Sequence, residues 1–562
     1  ENRTEILTTG TTFTPSYSTC ANNITTFSVD HFSGYAVDEA SEESNHFIFR
    51  INTTASPQNF SFQVDDASLT VNWGDGNTTD YNGTVLLSHN YTTAGIYNIS
   101  VNGTASRLSF SKYYGTYTQQ CTPELLNDIL TPVSDGVTGI ISASEMFAFT
   151  NITNFTATDF FDITSQNVTN LDFMFSDAVN FNQDLSGWNV SNVMTTSFMF
   201  SNADSFNENI STWDVSSVTD MRYMFWDVDT FNQSISNWDV SSVTQMDGLF
   251  SGAEDFNQDL GAWNVSNVLD MQAMFRDTLL FNNNISSWDV SAVTNMNFMF
   301  YNAPFNQSIA NWDVSNVTTM QYTFGYSDFN QNISAWDVSN VIYMSYLFKD
   351  SDFNQDLGAW NVSNVISMSG MFTSAPFNQN ISAWDVSNVT DMRGMFYSTP
   401  FNWSIANWDV SKVEDMEIMF YGTPFNQSIS DWNVSSVTDM KQMFFNSDFN
   451  QNISGWDVSS VQDMSYMFRY SDFNQDIGAW DVSNVTTMTA MLGSTPFDQN
   501  ISGWNVSLVT NFTDMFEFAE LSTENYDALL TGWASLPSLN YNLSFHGGTS
   551  QYCTGESDRN NT

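Results

Sequence analysis

Apolar positions fall into one phrase repeated fourteen times between Phe181 and about Phe516: F-N-Q-x-[IL]-x-x-W-[DN]-V-S-x-V-x-x-M-x-x-M-F, then a short variable link. Tryptophans mark the beat, 25 residues apart from Trp188 to Trp288 and 24 apart from there through Trp312 to Trp504. A fixed period in this range predicts stacked units, each covering the apolar face of its neighbour. The distance from Trp238 to Phe250 and from Trp312 to Phe324 is the same 12 residues, whereas the link shortens from five residues (after Phe250) to four (after Phe300). An insertion tolerated at only one place predicts a surface loop between rigid segments.

Within a repeat, Ile235, Trp238 and Val240 have the L-x-x-L-x-L spacing of a leucine-rich repeat. The alternation in W-D-V predicts a strand with one buried face. Val243, Met246, Leu249 and Phe250 recur every three to four residues, which predicts a short helix packed inward. The expected fold is therefore mainly β with short helices: a leucine-rich-repeat-type solenoid built on a parallel sheet. Because the aromatic and methionine stripes are locked to the repeat, they read as core rather than as a cofactor site.

The wording F-N-Q-x-I-S-x-W-D-V-S-x-V-T-x-M-x-x-M-F resembles the BspA-like leucine-rich repeat surface proteins, also described by their Mycoplasma-lipoprotein-type repeat. The likeness runs over roughly residues 47 to 553. It implies a secreted or surface-attached repeat protein used in adhesion or as envelope structure, and it implies no catalytic residues.

Five segments are expected: an extended N-terminal stretch (1–46), a β module (47–112), an N-terminal cap with degenerate repeats (113–180), the fourteen repeats (181–516) and a C-terminal cap (517–562). In the β module, W-G-D-G at Trp73–Gly76 followed by His89, Tyr91, Gly95 and the strand Ile96–Val101 resembles a PKD-type β-sandwich, with Asp75 read as turn-forming rather than metal-binding. In the cap, Met146-Phe147, Phe161-Asp162-Ile163 and Val168 to Phe175 echo the repeat. Ser522 or Thr523 is placed to cap a helix running through Trp533, followed by strand-like Leu539, Tyr541, Leu543 and Phe545. Cys20 and Cys121 flank the β module and are expected to pair in an oxidising compartment, leaving Cys553 over.

Charge narrows the partners. With 12 Lys+Arg against 62 Asp+Glu, the formal net charge is −50, which excludes nucleic acid and anionic membrane surfaces. At 41% hydrophobic and 15% aromatic the chain can still bury a large core. No run of 18 apolar residues predicts a membrane span. The first residue is Glu1, which suggests a mature, processed chain. Thirty-three N-x-[ST] sequons occur, at least one in every repeat, and with so few lysines they point to a secreted, densely N-glycosylated protein of a eukaryotic or archaeal secretory route.

The sequons divide by position. The Asn of F-N-Q stands in thirteen of fourteen repeats, with Asp498 the exception, whether or not a sequon follows. A position held regardless of sequon status predicts a ladder in which Asn satisfies backbone groups of adjacent turns. Glycans are therefore not expected on Asn232, Asn306, Asn402 or Asn426. They are expected on the two variable positions: Asn209, Asn284, Asn332, Asn380, Asn452 and Asn500 in N-I-S, and Asn189, Asn264, Asn361, Asn433 and Asn505 after Trp.

No catalytic or metal motif is present: four scattered histidines, three isolated cysteines, and acids that follow the repeat instead of breaking it. No enzyme is expected. One row merits weighing. Aspartate follows Trp at 214, 239, 289, 313, 337, 385, 409, 457 and 481. Stacked like charges repel by about 1 kcal/mol per pair even in water. The row reads either as a solvated acidic face with diffuse counterions or as discrete Ca²⁺ held between turns, with Asp289, Asp313 and Asp337 the named ligands. Two functions follow: a structural glycoprotein that forms a homo-oligomer or polymer, as a surface layer or filament, or an adhesin binding a carbohydrate or protein ligand through the sheet face. The near-constancy of Asn237, Asp239, Ser241 and their equivalents favours the structural reading.

Overall fold

The computed structural model describes residues 46–111, 121–152, 167–537 and 545–552, and the backbone of four short strands nearer the N-terminus. These four pair as antiparallel hairpins, β1 (Glu5–Ile6) with β2 (Thr12–Phe13) and β3 (Thr25–Val29) with β4 (Phe32–Val37). Cys20, Cys553, Phe161-Asp162-Ile163 and Leu539, Tyr541 and Leu543 lie outside the described residues.

The β module is built from β5 (Phe47–Thr53), β6 (Gln58–Asn72), β7 (Thr78–Tyr91), β8 (Gly95–Thr104), β9 (Arg107–Ser109), β10 (Leu126–Ile129) and β11 (Val137–Thr138), the short helix α1 (Val133–Gly136) preceding β11. All seven strands belong to one hydrogen-bonded sheet of order β10-β5-β8-β6-β7, with β9 on β6 and β11 on β8. Every pairing is antiparallel except β11 with β8. The two separate sheets of a PKD-type sandwich are not formed. A bulge between Val64 and Ala67, with Asp66 at φ 48°, lets one half of β6 pair with β9 and the other with β8. Alternate inward residues Phe47, Phe49, Phe60, Phe62 and Trp73 are completely buried. Asp75 is the turn former: one carboxylate oxygen accepts from the Asn77 N–H at 3.1 Å, and the other lies 2.7 Å from His89 Nε2.

The repeat region corrects the expected fold. No strand is found among the described residues of 181–516, and no helix; the antiparallel module holds the only extended sheet described. W-D-V does not form a strand because its flanks close on themselves. Trp213 N–H donates to Ile210 C=O at 3.2 Å and Val218 N–H to Val215 C=O at 2.9 Å, two successive tight turns. Parallel pairing shrinks to one residue per repeat, a column of single bridges from Ser142 through Asn170, Thr195, Asp220 and Gln245 to Asn511.

The predicted helix fails for an equally local reason. Tyr223 and Asp227 have φ of 53° and 51°, a left-handed conformation that a right-handed helix cannot contain. Amides then alternate in direction. Met221, Tyr223, Phe225 and Asp227 donate to Gln245, Asp247, Leu249 and Ser251 of the next repeat, whereas Met224 and Trp226 close turns onto Met221 and Tyr223. A leucine-rich-type solenoid with a parallel sheet is therefore not what this chain builds. Its repeats are chains of tight turns hydrogen-bonded to the neighbours on either side.

Aromatic columns fill the interior. Trp213 and Trp238 stack with ring planes 1° apart, and each indole N–H reaches a backbone carbonyl of the preceding repeat, as Trp238 Nε1 does to Ile210 at 3.1 Å. Phe225 lies 5.7 Å from Phe200 in the repeat before it and 4.0 Å from Phe231, which opens the next repeat. Each such buried side chain contributes roughly 1.5–3 kcal/mol. One continuous apolar cluster runs from Phe47 to Trp533. At its start, Phe110 of the β module stacks on Phe147 and Arg107 pairs with Glu145 at 2.9 Å. At its end, the helix α2 (Thr523–Ala534), capped by Ser522, one of the two residues the sequence offers, lays Trp533 over Phe512 at 5.3 Å.

Candidate functional site

Four asparagine positions are set apart by what their carboxamides do. The F-N-Q asparagines form the expected ladder: Asn232 Oδ1 accepts from Asn257 N–H (3.1 Å) and Gln258 Nε2 (2.7 Å) in the next repeat. The same rung recurs at Asn306, Asn402 and Asn426. These side chains are half-buried, Asn402 being exposed.

The N-I-S asparagines do otherwise. Asn209, Asn284, Asn332, Asn380, Asn452 and Asn500 are exposed, and each Oδ1 accepts the N–H of the serine two residues on at 2.9–3.0 Å. The asparagines after Trp repeat this turn. Asn264, Asn361, Asn433 and Asn505 are exposed and Asn189 is half-buried.

A fourth position was not singled out from the sequence. In V-S-N-V, Asn316, Asn340, Asn364, Asn388 and Asn484 each donate Nδ2 to a serine carbonyl of the preceding repeat at 2.7 Å. With Thr318, Ile342 and Ile366, the first three line a shallow, open groove of about 510 Å³.

The acidic row is exposed, as expected, but its members turn inward to their own backbone. Asp289 Oδ1 accepts from the N–H and hydroxyl of Ser291, and Asp313 and Asp337 accept the N–H of Ser315 and Ser339 at 3.0 Å. Serine hydrogen bonds hold Asp289 and Asp337 below the usual carboxylate range. Among the described residues no group of three or more His, Cys, Asp or Glu is placed to hold a metal ion, so the structure does not gather these aspartates into a Ca²⁺ site. Cys121 is buried, its thiol pushed up to about 12 by burial. It forms no disulfide with a described residue, and Cys20 lies outside them.

The face that sequence reasoning missed is the side of the left-handed turns. Phe173, Phe198 and Tyr223 stack at 4.7 and 4.8 Å, and Phe298, Tyr322 and Tyr346 at 4.9 and 4.6 Å. On a neighbouring column Tyr397, Tyr421 and Phe445 stack at 4.6 Å. Trp226, Tyr326 and Tyr470 are exposed beside them. Six of the seven basic residues of 181–516 lie on this segment: Arg222, Arg276, Lys349, Arg393, Lys441 and Arg469. Arg276 sits 5.7 and 5.5 Å from the Phe298 and Tyr301 rings, Lys349 4.2 Å from Tyr326. Glu417 is ion-paired on both sides, to Arg393 at 3.0 Å and Lys441 at 3.2 Å. No sequon begins between the methionine opening M-x-x-M-F and the next F-N-Q in any repeat.

No helix among the described residues is long and apolar enough to cross a membrane. No curated protein and no solved structure matches the chain. A family described as "Mycoplasma protein of unknown function, DUF285" matches eight times, at residues 141–243, 208–309, 281–376, 304–400, 324–427, 352–448, 397–496 and 422–533. The match bears out the Mycoplasma-type repeat in the sequence, and not its leucine-rich or PKD-type features. Matched without a break from 141 to 533, well over half its length, the chain belongs to that Mycoplasma repeat family.

Proposed function

We propose that this is a non-catalytic, secreted and N-glycosylated structural protein of the cell surface, a rod that assembles into a layer or filament. The observation that carries the reading is the regular use of backbone and side-chain hydrogen bonds between repeats, closed by the β module at one end and α2 at the other. The open groove on the rod is lined by Asn, Thr and Ile side chains, without a carboxylate, histidine or cysteine. Because both ends of the core are covered, assembly runs through residues 1–46 and the β module meeting the C-terminal end of a neighbour. Electron microscopy of native, unpurified material tests the reading: ordered arrays or fibres support it, single rods on cells count against it. Normal assemblies from a chain lacking residues 1–46 would remove the proposed junction.

A second reading, an adhesin for a carbohydrate or protein ligand, is favoured by one observation. The turn face concentrates exposed Trp226, Tyr326 and Tyr470 with nearly all the repeat cations, and aromatic and Arg side chains are the residues that dominate binding hot spots. Any such site lies on this face and not on a sheet. Loss of cell adhesion in a W226A/Y326A/Y470A variant that still folds supports it; unchanged adhesion counts against it.

A further inference from the structure

From the geometry of the four recurring asparagine positions we infer that repeat glycans follow two columns, joined by the single site Asn511 in the last repeat, and leave the stacked aromatic turn face bare. The inference rests on the secretory reading above. In N-glycosylation the Asn Nδ2 forms a bond to the anomeric carbon of an oligosaccharide carried on a lipid phosphate. The anomeric C–O bond breaks, the lipid phosphate leaves with its electron pair, and Nδ2 loses one proton. The acceptor nitrogen must therefore face solvent with room for a sugar, and it must keep that room in the folded chain whether transfer precedes or follows folding.

Two recurring positions meet this requirement, and Asn511 of the last repeat, exposed with its Oδ1 accepting the Thr513 N–H at 2.9 Å, meets it once. In N-I-S and after Trp, Oδ1 is engaged by the serine N–H two residues on, which orients the carboxamide. Its Nδ2 makes no hydrogen bond with a described residue. In N-V-T, at Asn316, Asn388 and Asn484, Nδ2 itself is donated to the preceding repeat at 2.7 Å. A sugar there would displace a contact that holds two repeats together. In F-N-Q, at Asn232, Asn306, Asn402 and Asn426, the carboxamide is held by two donors of the following repeat, and the next Gln side chain packs against it.

The distinction has a consequence for the surface as a whole. The eleven favoured asparagines share the fourth and ninth positions of the repeat, whereas the turn segment holds the stacked rings, six cations and no sequon asparagine, the nearest being Asn511, one residue before it in the last repeat. Glycans then follow the N-I-S and W-N-V columns, and the M-x-x-M-F turn segment is the one with the side chains suited to a protein or carbohydrate contact.

The test is site-resolved glycopeptide mass spectrometry on protein from its native source, with enzymatic deglycosylation in ¹⁸O-water to mark each occupied Asn. Occupancy is expected among Asn189, Asn209, Asn264, Asn284, Asn332, Asn361, Asn380, Asn433, Asn452, Asn500, Asn505 and Asn511. None is expected at the N-V-T or F-N-Q positions. Comparable glycan at Asn316, Asn388, Asn484 or the F-N-Q class overturns the inference. Labelling of intact cells separates the two ideas: a chain found outside the cell but unmodified at all these sites overturns the glycan assignment and spares the secretory reading. In a glycosylating expression host, N332Q should lose one glycan's mass and N316Q should lose none.

Discussion

Asp498 Oδ1 accepts both the N–H and the hydroxyl of Ser522, each at 2.8 Å. Ser522 lies 24 residues on, where the next ladder asparagine would stand, and Asn525 Nδ2 (2.7 Å) replaces the usual glutamine. The one aspartate in the ladder thus meets the N-terminus of α2, where a negative charge is favoured by the helix dipole. Burial raises the Asp498 pKa, but the Asn525 and Ser522 hydrogen bonds outweigh it and leave it below the usual range. A depressed carboxylate stabilises the fold above its unfolded pKa, and that stabilisation is lost as pH falls through the folded value, here below about 4. S522A should cost about 1 kcal/mol as a lost N-cap, and D498A about 1–3 kcal/mol. D498N should keep the rung and lose the acid dependence. Hydrogen exchange of α2 amides against pH is the measurement; identical profiles for D498N and the parent chain would refute the charge role.

A mid-ladder rung can be tested without touching a sequon. Asn330 Oδ1 accepts from Asn354 N–H (3.0 Å) and Gln355 Nε2 (2.9 Å). N330A leaves two half-buried donors unpaired and should cost about 1–3 kcal/mol. N354A should behave alike. The loss should be local, as in one-dimensional repeat arrays: faster amide exchange at residues 330–355, with the β module unchanged. Uniform acceleration over the whole chain would contradict that picture.

These two cases show what was legible and what was not. Trp and Phe columns announce themselves because burial forces identity at every beat. The ladder asparagine is legible because it persists where no sequon accompanies it. Ser522 is legible as a cap from its place before an apolar-periodic run. Strand and helix were misread because a spacing of three to four residues suits a helix and a chain of i to i+3 turns equally. A partial signal was present: Asn202, Asp227, Gly252, Asp277, Asn302, Asp350, Gly422 and Asn446 fill one position in eight of fourteen repeats, and Gly, Asn and Asp tolerate left-handed backbone best, but Tyr, Ser or Phe stands there in the other six. The aromatic face was hidden for another reason. Phe298, Tyr322 and Tyr346 occupy a position where Gly, Ala, Ile and Gln also occur, and they become a patch only when successive repeats are superposed.

Asp247 predicts a pH effect of opposite sign. Its Oδ1 is buried without a hydrogen bond, with Arg222 Nε 4.0 Å away. Burial first, and the Asp270 carboxylate second, push its pKa up to about 6. The folded state therefore prefers the neutral acid. That contribution is complete below the unfolded value near 4 and is lost as pH rises through about 6. D247N should gain about 1–2 kcal/mol at pH 7 and almost nothing at pH 4. Direct titration of the Asp247 carboxyl by NMR gives the same answer independently, and a midpoint near 4 would dismiss the effect.

A disulfide between Cys20 and Cys121 remains the expected tie between the N-terminal stretch and the β module. Burial alone makes the Cys121 thiol a poor nucleophile, so slow alkylation of the native protein would not distinguish a bridge from a shielded thiol. Alkylation must follow denaturation without reductant. A cross-linked peptide containing both cysteines is expected on non-reducing mapping; two alkylated thiols would exclude the bridge.

The aromatic stacks of the turn face end on glycine, and this can be read as a coupling energy. Gly370 follows Tyr346 by one repeat at φ 58°, and a Cβ there would lie 2.2 Å from Tyr346 Cε1. The ring rests on the glycine backbone, so no side chain fits beneath it without driving it off Tyr322, its partner at 4.6 Å. G370A thus carries two penalties. Left-handed backbone costs about 1 kcal/mol in any context, and displacing the ring forfeits a stack worth about 0.5–1.5 kcal/mol. In Y346A the ring is already gone, so adding G370A should cost only the backbone share. The double-mutant cycle should therefore show a coupling of about 1 kcal/mol between neighbouring repeats. Gly394 is a built-in control. It has the same φ of 58°, but an added Cβ would come no closer than 3.4 Å to Ile418, so G394A should cost the backbone share alone. Equal costs for G370A and G394A, measured by local hydrogen exchange, would mean that the ring does not rest on the glycine and that the stacks end for some other reason.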